Sequence, residues 1–463
     1  MKNKISLFSL ILLIIASIDS IRTLPTTAFF GTSLIFFYLL AALLFLFPVA
    51  FISAEFSSRY PEEGGVFHWI RHAFGMRAGV LAVWLQWINT MVWYPTMLLF
   101  ISGAATHVVP SSISHHRGSL LITSLLFFWG LTLLNLNGIR ISAQINAICG
   151  AMGTLLPMFF LIALGIYWLL FSPSLAIAFA WKDLLPAGNW VDASTSLVTI
   201  MASFLGMELA GVYIKDIHNP QKNFPVAIGA SVVILLVTLI FGSLSIAIVI
   251  PQNDIHFIDG VMQTFGIFLG NFQLSFIMPW LALLIVLGAA GGSVNWLLSP
   301  AKGLLQAAEQ GFLPAYFSAK NQHDVPYRIL ILQALFVSLF CLAIYFIQDV
   351  NSYYWFFMAL STGLYLFMYI LLFLAAMKLK RPMLGYKIPK GMRTISCVAG
   401  IAACTITIIV GFIPAPGVII ENKMFYSCLI VFGFGLMLLP VFALWRYRER
   451  NQADLARAAL RRE

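Results

Sequence analysis

Long apolar runs, separated by short polar segments, extend along this chain to about residue 445. A helix that crosses a bilayer needs about 20 consecutive, mostly apolar residues, and twelve runs reach that length. They lie at about 5–31, 33–56, 79–108, 118–137, 141–171, 193–213, 224–250, 270–299, 328–348, 352–377, 394–413 and 424–445. The pattern predicts an all-α integral membrane protein with 12 transmembrane helices in a single transmembrane domain, residues 1–445.

The composition excludes a soluble protein. Of the 463 residues, 61% are apolar and 10% are charged, whereas soluble domains have about 45–50% apolar and about 25% charged residues. The five cysteines lie inside apolar runs without metal-binding spacing. The sequence also contains no Ser–His–Asp grouping, Walker loop or HExxH run. We therefore expect no enzyme activity, no cofactor and no metal site.

The basic residues indicate how the helices are oriented. Twelve spans place both termini on one side, and 23 of the 27 Lys and Arg residues fall on that side. Three lie on the opposite side, and Arg22 lies inside the first apolar run. Because basic loops stay in the cytoplasm, we expect a bacterial cytoplasmic (inner) membrane protein with both termini cytoplasmic. This asymmetry accounts for the net charge of +10 and requires no nucleic acid as partner.

Residues 446–463 are predicted to form a short basic cytoplasmic tail. A basic segment next to a span attracts anionic lipid, so membrane lipid is an expected partner of the tail. A regulatory plug is the alternative interpretation.

Three charged residues occur where the bilayer hydrocarbon is expected: Asp19 and Arg22 in the first run, and Glu208 in the sixth. A charge at the bilayer centre costs at least about 2.5–3.5 kcal/mol. Such residues persist when they face a water-filled path or pair with one another. They are therefore the first candidates for the functional site.

Two of the spans are predicted to be interrupted. Pro25 disfavours continuous helix in the first, near residues 18–22, and Gly206 and Gly211 weaken the sixth near residues 205–208. Interruptions in corresponding helices of two five-helix halves are typical of a transporter binding site. Their free amide ends suit a carboxylate, and their free carbonyl ends suit an ammonium group. A proline kink and a packed glycine are the alternative.

The three intramembrane charges have alternative roles. Glu208 is the main proton-coupling candidate, because a buried carboxyl group can exchange protons near neutral pH; a structural role in the broken helix is the alternative. Asp19 is a second proton-coupling candidate. Asp19 and Arg22 share a face if the backbone between them is helical, and they can then pair. One interpretation is a buried ion pair that holds the break open. The functional interpretation is that Arg22 attracts a substrate carboxylate, while Asp19 contacts the substrate amine or neutralises Arg22.

The remaining candidates are polar or aromatic residues that can line a pocket at the breaks, with helix packing as the alternative for each. Gln86, Asn89 and Trp93 share one face of the third span. The complete candidate substrate-binding set is Ile18, Asp19, Ser20, Ile21, Arg22, Gln86, Asn89, Trp93, Phe204, Leu205, Gly206, Ser293, Asn295, Trp296 and Tyr365.

Several blocks of sequence resemble permeases of the amino acid–polyamine–organocation (APC) superfamily, and most closely the bacterial glutamate:GABA antiporter branch. The most specific block runs over residues 47–56 and 61–69, from Phe47-Pro48 through Pro61-Glu62-Glu63-Gly64-Gly65 to Trp69. Further blocks lie at 73–75, 84–87, 204–208, 219–225 and 298–314.

The resemblance implies the leucine-transporter-type 5+5 inverted repeat, alternating access, and an amino acid or amine substrate. Helices 1–5 (about 5–171) and 6–10 (about 193–377) then form the two repeats, with helices 1 and 6 broken and helices 11–12 (about 394–445) peripheral. Where many members have a Gly-Ser-Gly-like run in the first break, this chain has Ile18-Asp19-Ser20 followed by Arg22. The identity of the substrate therefore does not carry over.

We expect a secondary active transporter of an amino acid or related amine, coupled to protons or working by exchange, as a monomer or homodimer. A transporter of another fold, such as the major facilitator type, remains an alternative, as does a channel or receptor.

Overall fold

The computed structural model describes residues 4–60, 65–108, 117–137, 148–172, 174–179, 181–186, 190–346, 350–380, 386–416 and 422–460. Within these ranges the regular structure is helical, apart from one parallel β-bridge between Ile5 and Ile217. In chain order the α-helices are α1 Leu7–Ile18, α2 Leu24–Ala28, α3 Leu34–Ala41, α4 Phe47–Arg59, α5 Val66–Phe74, α6 Met76–Ala105, α7 Arg117–Asn135, α8 Leu156–Phe171, α9 Trp190–Ser194, α10 Ser196–Ser203, α11 Pro220–Ala247, α12 Gly260–Asn271, α13 Met278–Glu309, α14 Tyr327–Phe346, α15 Val350–Lys378, α16 Lys390–Val410 and α17 Lys423–Leu460.

Ten helical segments in the described part of the chain are long and apolar enough to cross a membrane. They are Leu7–Ala28, Gly31–Arg59, Gly118–Asn135, Ile148–Phe171, Trp190–Gly211, Pro220–Ala247, Ser275–Glu309, Asn351–Lys378, Lys390–Val410 and Lys423–Arg450. The predicted third and ninth spans are also helical, as α6 and α14.

The first span is broken close to its middle. Helix α1 ends at Ile18, Asp19 and Ser20 have extended backbones, and a 3-10 turn at Ile21–Thr23 leads into α2. Pro25 lies in the first turn of α2, where a backbone N–H group would have no acceptor within the helix, so its absence costs nothing. The break falls within the predicted residues 18–22, and Pro25 begins the second half of the span instead of kinking a continuous helix.

The sixth span is broken as well. Helix α10 ends at Ser203, and a ten-residue 3-10 segment, Met207–Asp216, continues the chain. Gly206 lies between them with φ +105°, a conformation that L side chains rarely adopt. Glycine is therefore required where the helix changes direction, within the predicted residues 205–208.

Other elements extend or refine the predicted spans. A π-helical turn at Ala42–Leu46 precedes α4, and a second one at Ala151–Leu155 precedes α8. The predicted start of the fifth span, 141–147, lies outside the described residues. The last helix does not end near residue 445 but continues to Leu460, so most of the predicted tail is helical.

The long helix α6 lies at the centre of the bundle, where it packs against α13 and α15. Helix α1 packs against α11. At the end of α4, the buried Glu55 forms an ion pair with Arg393 of α16 at 3.0 Å. The helix packing, and not this ion pair, places the two breaks next to α6, α11, α13 and α15. These four helices supply the remaining residues of the site.

Candidate functional site

Arg22 is held in the first break by two other helices. Its guanidinium Nη1 donates to the hydroxyl of Tyr354 in α15 at 2.8 Å and to Oγ1 of Thr96 in α6 at 3.1 Å. The guanidinium carbon also lies 5.4 Å from the ring centre of Trp93 and 5.7 Å from that of Tyr354. Arg22 is only 2% exposed, so this aromatic and hydroxyl environment replaces water around its charge.

Asp19 is held by a different helix. Thr238 of α11 donates its hydroxyl to Asp19 Oδ2 at 2.8 Å. The other carboxylate oxygen, Oδ1, is buried without a hydrogen-bond partner among the described residues. Asp19 is also the C-cap residue of α1, directly after Ile18, and its backbone amide donates to the carbonyl of Ile15 at 2.7 Å.

The two residues do not pair. Asp19 (ψ 124°) and Ser20 (φ −143°, ψ 114°) are extended, so the condition for a shared helical face is not met. In the part of the chain that the structure describes, no ion pair joins the Asp19 carboxylate to the Arg22 guanidinium. The break therefore holds one acidic and one basic side chain, each hydrogen-bonded to other helices.

Glu208 lies at the centre of a hydrogen-bond network in the second break. Its Oε1 accepts from Gln86 Nε2 at 2.8 Å and from the Tyr365 hydroxyl at 2.5 Å, and its Oε2 accepts from the Tyr369 hydroxyl. The Tyr369 hydroxyl in turn accepts from the Gly206 amide at 3.0 Å. The network thus connects the broken sixth span to α6 and α15, and Glu208 is 1% exposed.

Trp296 of α13 connects the two breaks. Its indole N–H donates to the carbonyl of Ser17 at the end of α1, at 2.6 Å. Its ring lies over Gly206, where an added Cβ atom would meet Trp296 Cζ2 at 2.8 Å. Trp296 also stacks on Trp93, with ring centres 5.3 Å apart. One side chain therefore caps the first half-helix and packs against the turn of the second.

A cavity of about 30 Å³ lies between the two breaks. A single buried water needs about 10–15 Å³ by the same kind of measure. The cavity therefore holds about two waters and is too small for an amino acid. The helices around it must separate before a substrate can enter.

Eight of the predicted site residues line this cavity: Ile18, Asp19, Ser20, Ile21, Arg22, Trp93, Leu205 and Trp296. Gln86, Gly206 and Tyr365 belong to the neighbouring Glu208 network. The structure thus brings both predicted breaks and most of the predicted residues to one place.

Three of the four remaining predicted residues, Phe204, Ser293 and Asn89, are not among the described residues that line the cavity. Phe204 is fully buried and packs edge-on against Tyr38. Ser293 bonds within its own helix, to the carbonyl of Ala289. The Asn89 side chain is buried, and its amide has no partner among the described residues. The side chain of Asn295 lies outside the described part of the structure.

Sequence reasoning missed the residues that hold the site together, among them Thr96, Thr238, Tyr354 and Tyr369. Tyr369 could have been found, since it follows Tyr365 by four residues and shares its helical face. The others carry no local signal, because their partners lie 74 to 332 residues away in the sequence.

Comparison with known proteins identifies the family. A family model described as "Amino acid permease" matches residues 5–434. The chain belongs to the amino acid permease family. The family is part of the APC superfamily, as the resemblance implied, and this permease is a multi-pass membrane protein.

Three relatives illustrate the range of the family around this permease. An uncharacterized transporter of Legionella pneumophila is 35% identical over 98% of both chains. A glutamate/gamma-aminobutyrate antiporter of Lactococcus lactis is 26% identical over 98% of this permease and 92% of the relative. A probable agmatine/putrescine antiporter of the same species is 26% identical over 82% of this permease and 80% of the relative. The family and these relatives are transporters, not enzymes.

Proposed function

We propose that this permease is a secondary active transporter of an amino acid or related amine that works by alternating access. One observation carries the proposal: two broken helices meet at one small buried cavity that bears side chains of opposite charge. Broken helices supply binding groups at the midplane of a transporter. A cavity too small for substrate is typical of a carrier that closes between its two open states.

The proposed topology has twelve spans. Helices α6, of 30 residues, and α14, of 20 residues, complete the ten apolar spans. At 1.5 Å per residue they are about 45 and 30 Å long, sufficient to cross the hydrocarbon core. We assign spans 1–5 and 6–10 to inverted repeats, and spans 11 and 12 to the periphery. The matching breaks in spans 1 and 6 support this assignment.

We place both termini in the cytoplasm of a bacterial cell, in the inner membrane, on the distribution of basic residues. The basic end of α17 then lies beside the anionic lipid of the inner leaflet. As before, the protein is either a monomer or a homodimer.

Glu208 is the proposed proton-coupling residue, with Asp19 as a second candidate. The carboxyl of Glu208 is buried and bonded to helices α6 and α15. A gain or loss of its proton changes which of these donors it retains, and so couples protonation to the position of the sixth span.

Exchange is the favoured mode of transport, because two of the relatives described above are named an antiporter and a probable antiporter. Proton symport uses the same fold and the same buried carboxyl groups. In both modes the substrate crosses by one conformational cycle.

Uptake into proteoliposomes tests the proposal. The labelled probes are glutamate, alanine, γ-aminobutyrate and putrescine, each measured over a range of concentrations with empty vesicles as control. A carrier gives saturable uptake of at least one probe. A flux that rises linearly with concentration would instead identify a channel.

A further inference from the structure

We propose that the substrate is an amino acid bound by both of its charged groups, its carboxylate by Arg22 and its ammonium by Asp19, and that diamines are rejected. The inference rests on the proposed transport function and narrows its substrate class. It concerns side chains of the first break, where the chain departs from the Gly-Ser-Gly-like run noted above.

Arg22 has donor capacity that the protein does not use. A guanidinium carries five N–H donors, and both hydrogen bonds found for Arg22 come from Nη1. Its Nε is buried without a partner among the described residues. Arg22 also lines the cavity. A carboxylate entering the cavity can accept from this unused edge, and an arginine presents its donors in a geometry that matches a carboxylate.

Asp19 has complementary acceptor capacity. Thr238 donates to Oδ2, while Oδ1 is buried and has no hydrogen-bond partner within the ranges that the structure describes. Asp19 lines the same cavity as Arg22. An ammonium group donates to such an oxygen, and a buried acceptor left without a donor costs free energy. Two residues that line one cavity thus each carry a buried polar atom, one a donor and one an acceptor, without a partner among the described residues.

The protein keeps these charges from neutralising each other. The extended backbone at Asp19 and Ser20 separates the two side chains, and α11 holds one while α6 and α15 hold the other. A substrate with one positive and one negative group satisfies both. A diamine brings a second positive charge next to Arg22, and like charges repel strongly away from water.

Thr238 and Tyr354 are positioning residues in this arrangement. Thr238 fixes Asp19 so that one carboxylate oxygen is occupied and the other remains available. Tyr354 occupies Nη1 and contributes an aromatic ring beside the guanidinium. Both residues act through Asp19 or Arg22, and neither has to contact the substrate itself.

Thermal-shift titration of the purified full-length protein tests the inference. The probes are alanine, glutamate and γ-aminobutyrate, which carry both groups, and putrescine and agmatine, which carry only positive ones. We expect at least one amino acid, and neither diamine, to raise the melting temperature. In Arg22→Gln the affinity for that amino acid falls about thirtyfold or more, as for other truncated partners of buried charges. Arg77→Gln, at an exposed arginine, leaves it unchanged.

Tyr354→Phe keeps the ring and removes one hydrogen bond, so it provides a readout if Arg22→Gln does not fold. It weakens amino acid binding several-fold without creating affinity for putrescine. Diamines that bind as tightly as amino acids, or equal losses of both in Arg22→Gln, overturn the inference. Saturable diamine uptake with no amino acid uptake would also overturn the inference, but it would still support the proposed transport function. If no probe binds or is transported, both proposals fail.

Discussion

Glu208 accepts hydrogen bonds from three side chains on two neighbouring helices, and it is the acidic residue most tightly bound into the site. Gln86 and Tyr365 donate to one oxygen and Tyr369 to the other. Three donors around one carboxyl group satisfy most of its acceptor capacity. A residue held in this way can transmit a change in protonation to α6 and α15 at once.

Glu208→Gln should remove the pH dependence of uptake. The amide has nearly the same shape but cannot exchange a proton, so the site remains in one electrostatic state. Initial uptake rates in proteoliposomes between about pH 5 and pH 8, the interval in which buried carboxyl groups exchange protons, provide the measurement. Glu309→Gln is the matched control, because Glu309 is partly exposed and pairs with Lys320. An unchanged pH profile in Glu208→Gln would refute the proton-coupling role.

Gly206→Ala should impair transport and stability. The new methyl group meets Trp296 at 2.8 Å, and the backbone has φ +105°. A non-glycine residue in such a conformation costs about 1–3 kcal/mol. Gly229→Ala is the control, since no atom lies within 4 Å of its added Cβ. Uptake rate and melting temperature should fall only in Gly206→Ala. Equal uptake rates and melting temperatures in the two variants would show that transport does not depend on the close contact between Gly206 and Trp296.

At the scale of helices, a buried ion pair joins α16 to the last turns of α4. Glu55 is 1% exposed, and its second carboxylate oxygen accepts from the Ile388 amide at 3.3 Å. Arg393 also donates to the carbonyl of Leu379, just beyond α15, at 3.0 Å. The pair thus joins three helix ends on one side of the bundle.

Glu55→Ala should lower the melting temperature strongly, because removing one partner leaves a buried charge uncompensated, at a cost of about 3–5 kcal/mol. Arg77→Ala breaks the ion pair between Arg77 and Glu449, and the side chains of these residues are 65% and 56% exposed. This variant should therefore have little effect on the melting temperature. Thermal denaturation in detergent compares the two. Similar melting temperatures for both variants would mean that the buried pair does not stabilise the junction.

The breaks were predictable from sequence because their causes are local. Pro25 fixes the backbone at the start of α2, Gly206 permits a positive φ, and the breaks fall within the predicted residues 18–22 and 205–208. The lack of an ion pair between Asp19 and Arg22 could not be predicted, because it depends on the extended backbone at Asp19 and Ser20. Hydropathy alone also did not indicate the short helices α5 and α12, which are too short to be spans.

At the scale of the whole molecule, the family and the apolar helices agree on a membrane transporter, while orientation rests on charge alone. With both termini cytoplasmic, green fluorescent protein fused after Glu463 should fluoresce, and alkaline phosphatase fused there should be inactive. Truncation at Pro186, between spans 5 and 6, should reverse both results. Active phosphatase at the C-terminus would invert the proposed topology.

Similar overall identity goes with different substrates among the relatives of this permease. At 26% identity, one relative is named for glutamate and γ-aminobutyrate and another for agmatine and putrescine. Sequence identity therefore does not select the substrate. In our proposal the side chains of the first break select it, because they combine one base with one acid at a single cavity.

Counterflow in proteoliposomes tests the central claim, that this permease is an alternating-access carrier, most directly. Vesicles loaded with unlabelled glutamate, alanine, γ-aminobutyrate or putrescine, in separate experiments, are diluted into a trace of the same labelled compound. A carrier whose binding site crosses the membrane with substrate bound exchanges internal substrate for external label. We therefore predict that label transiently accumulates above its equilibrium level for at least one compound. Label that only approaches equilibrium, without an overshoot for any of the four, would contradict the account.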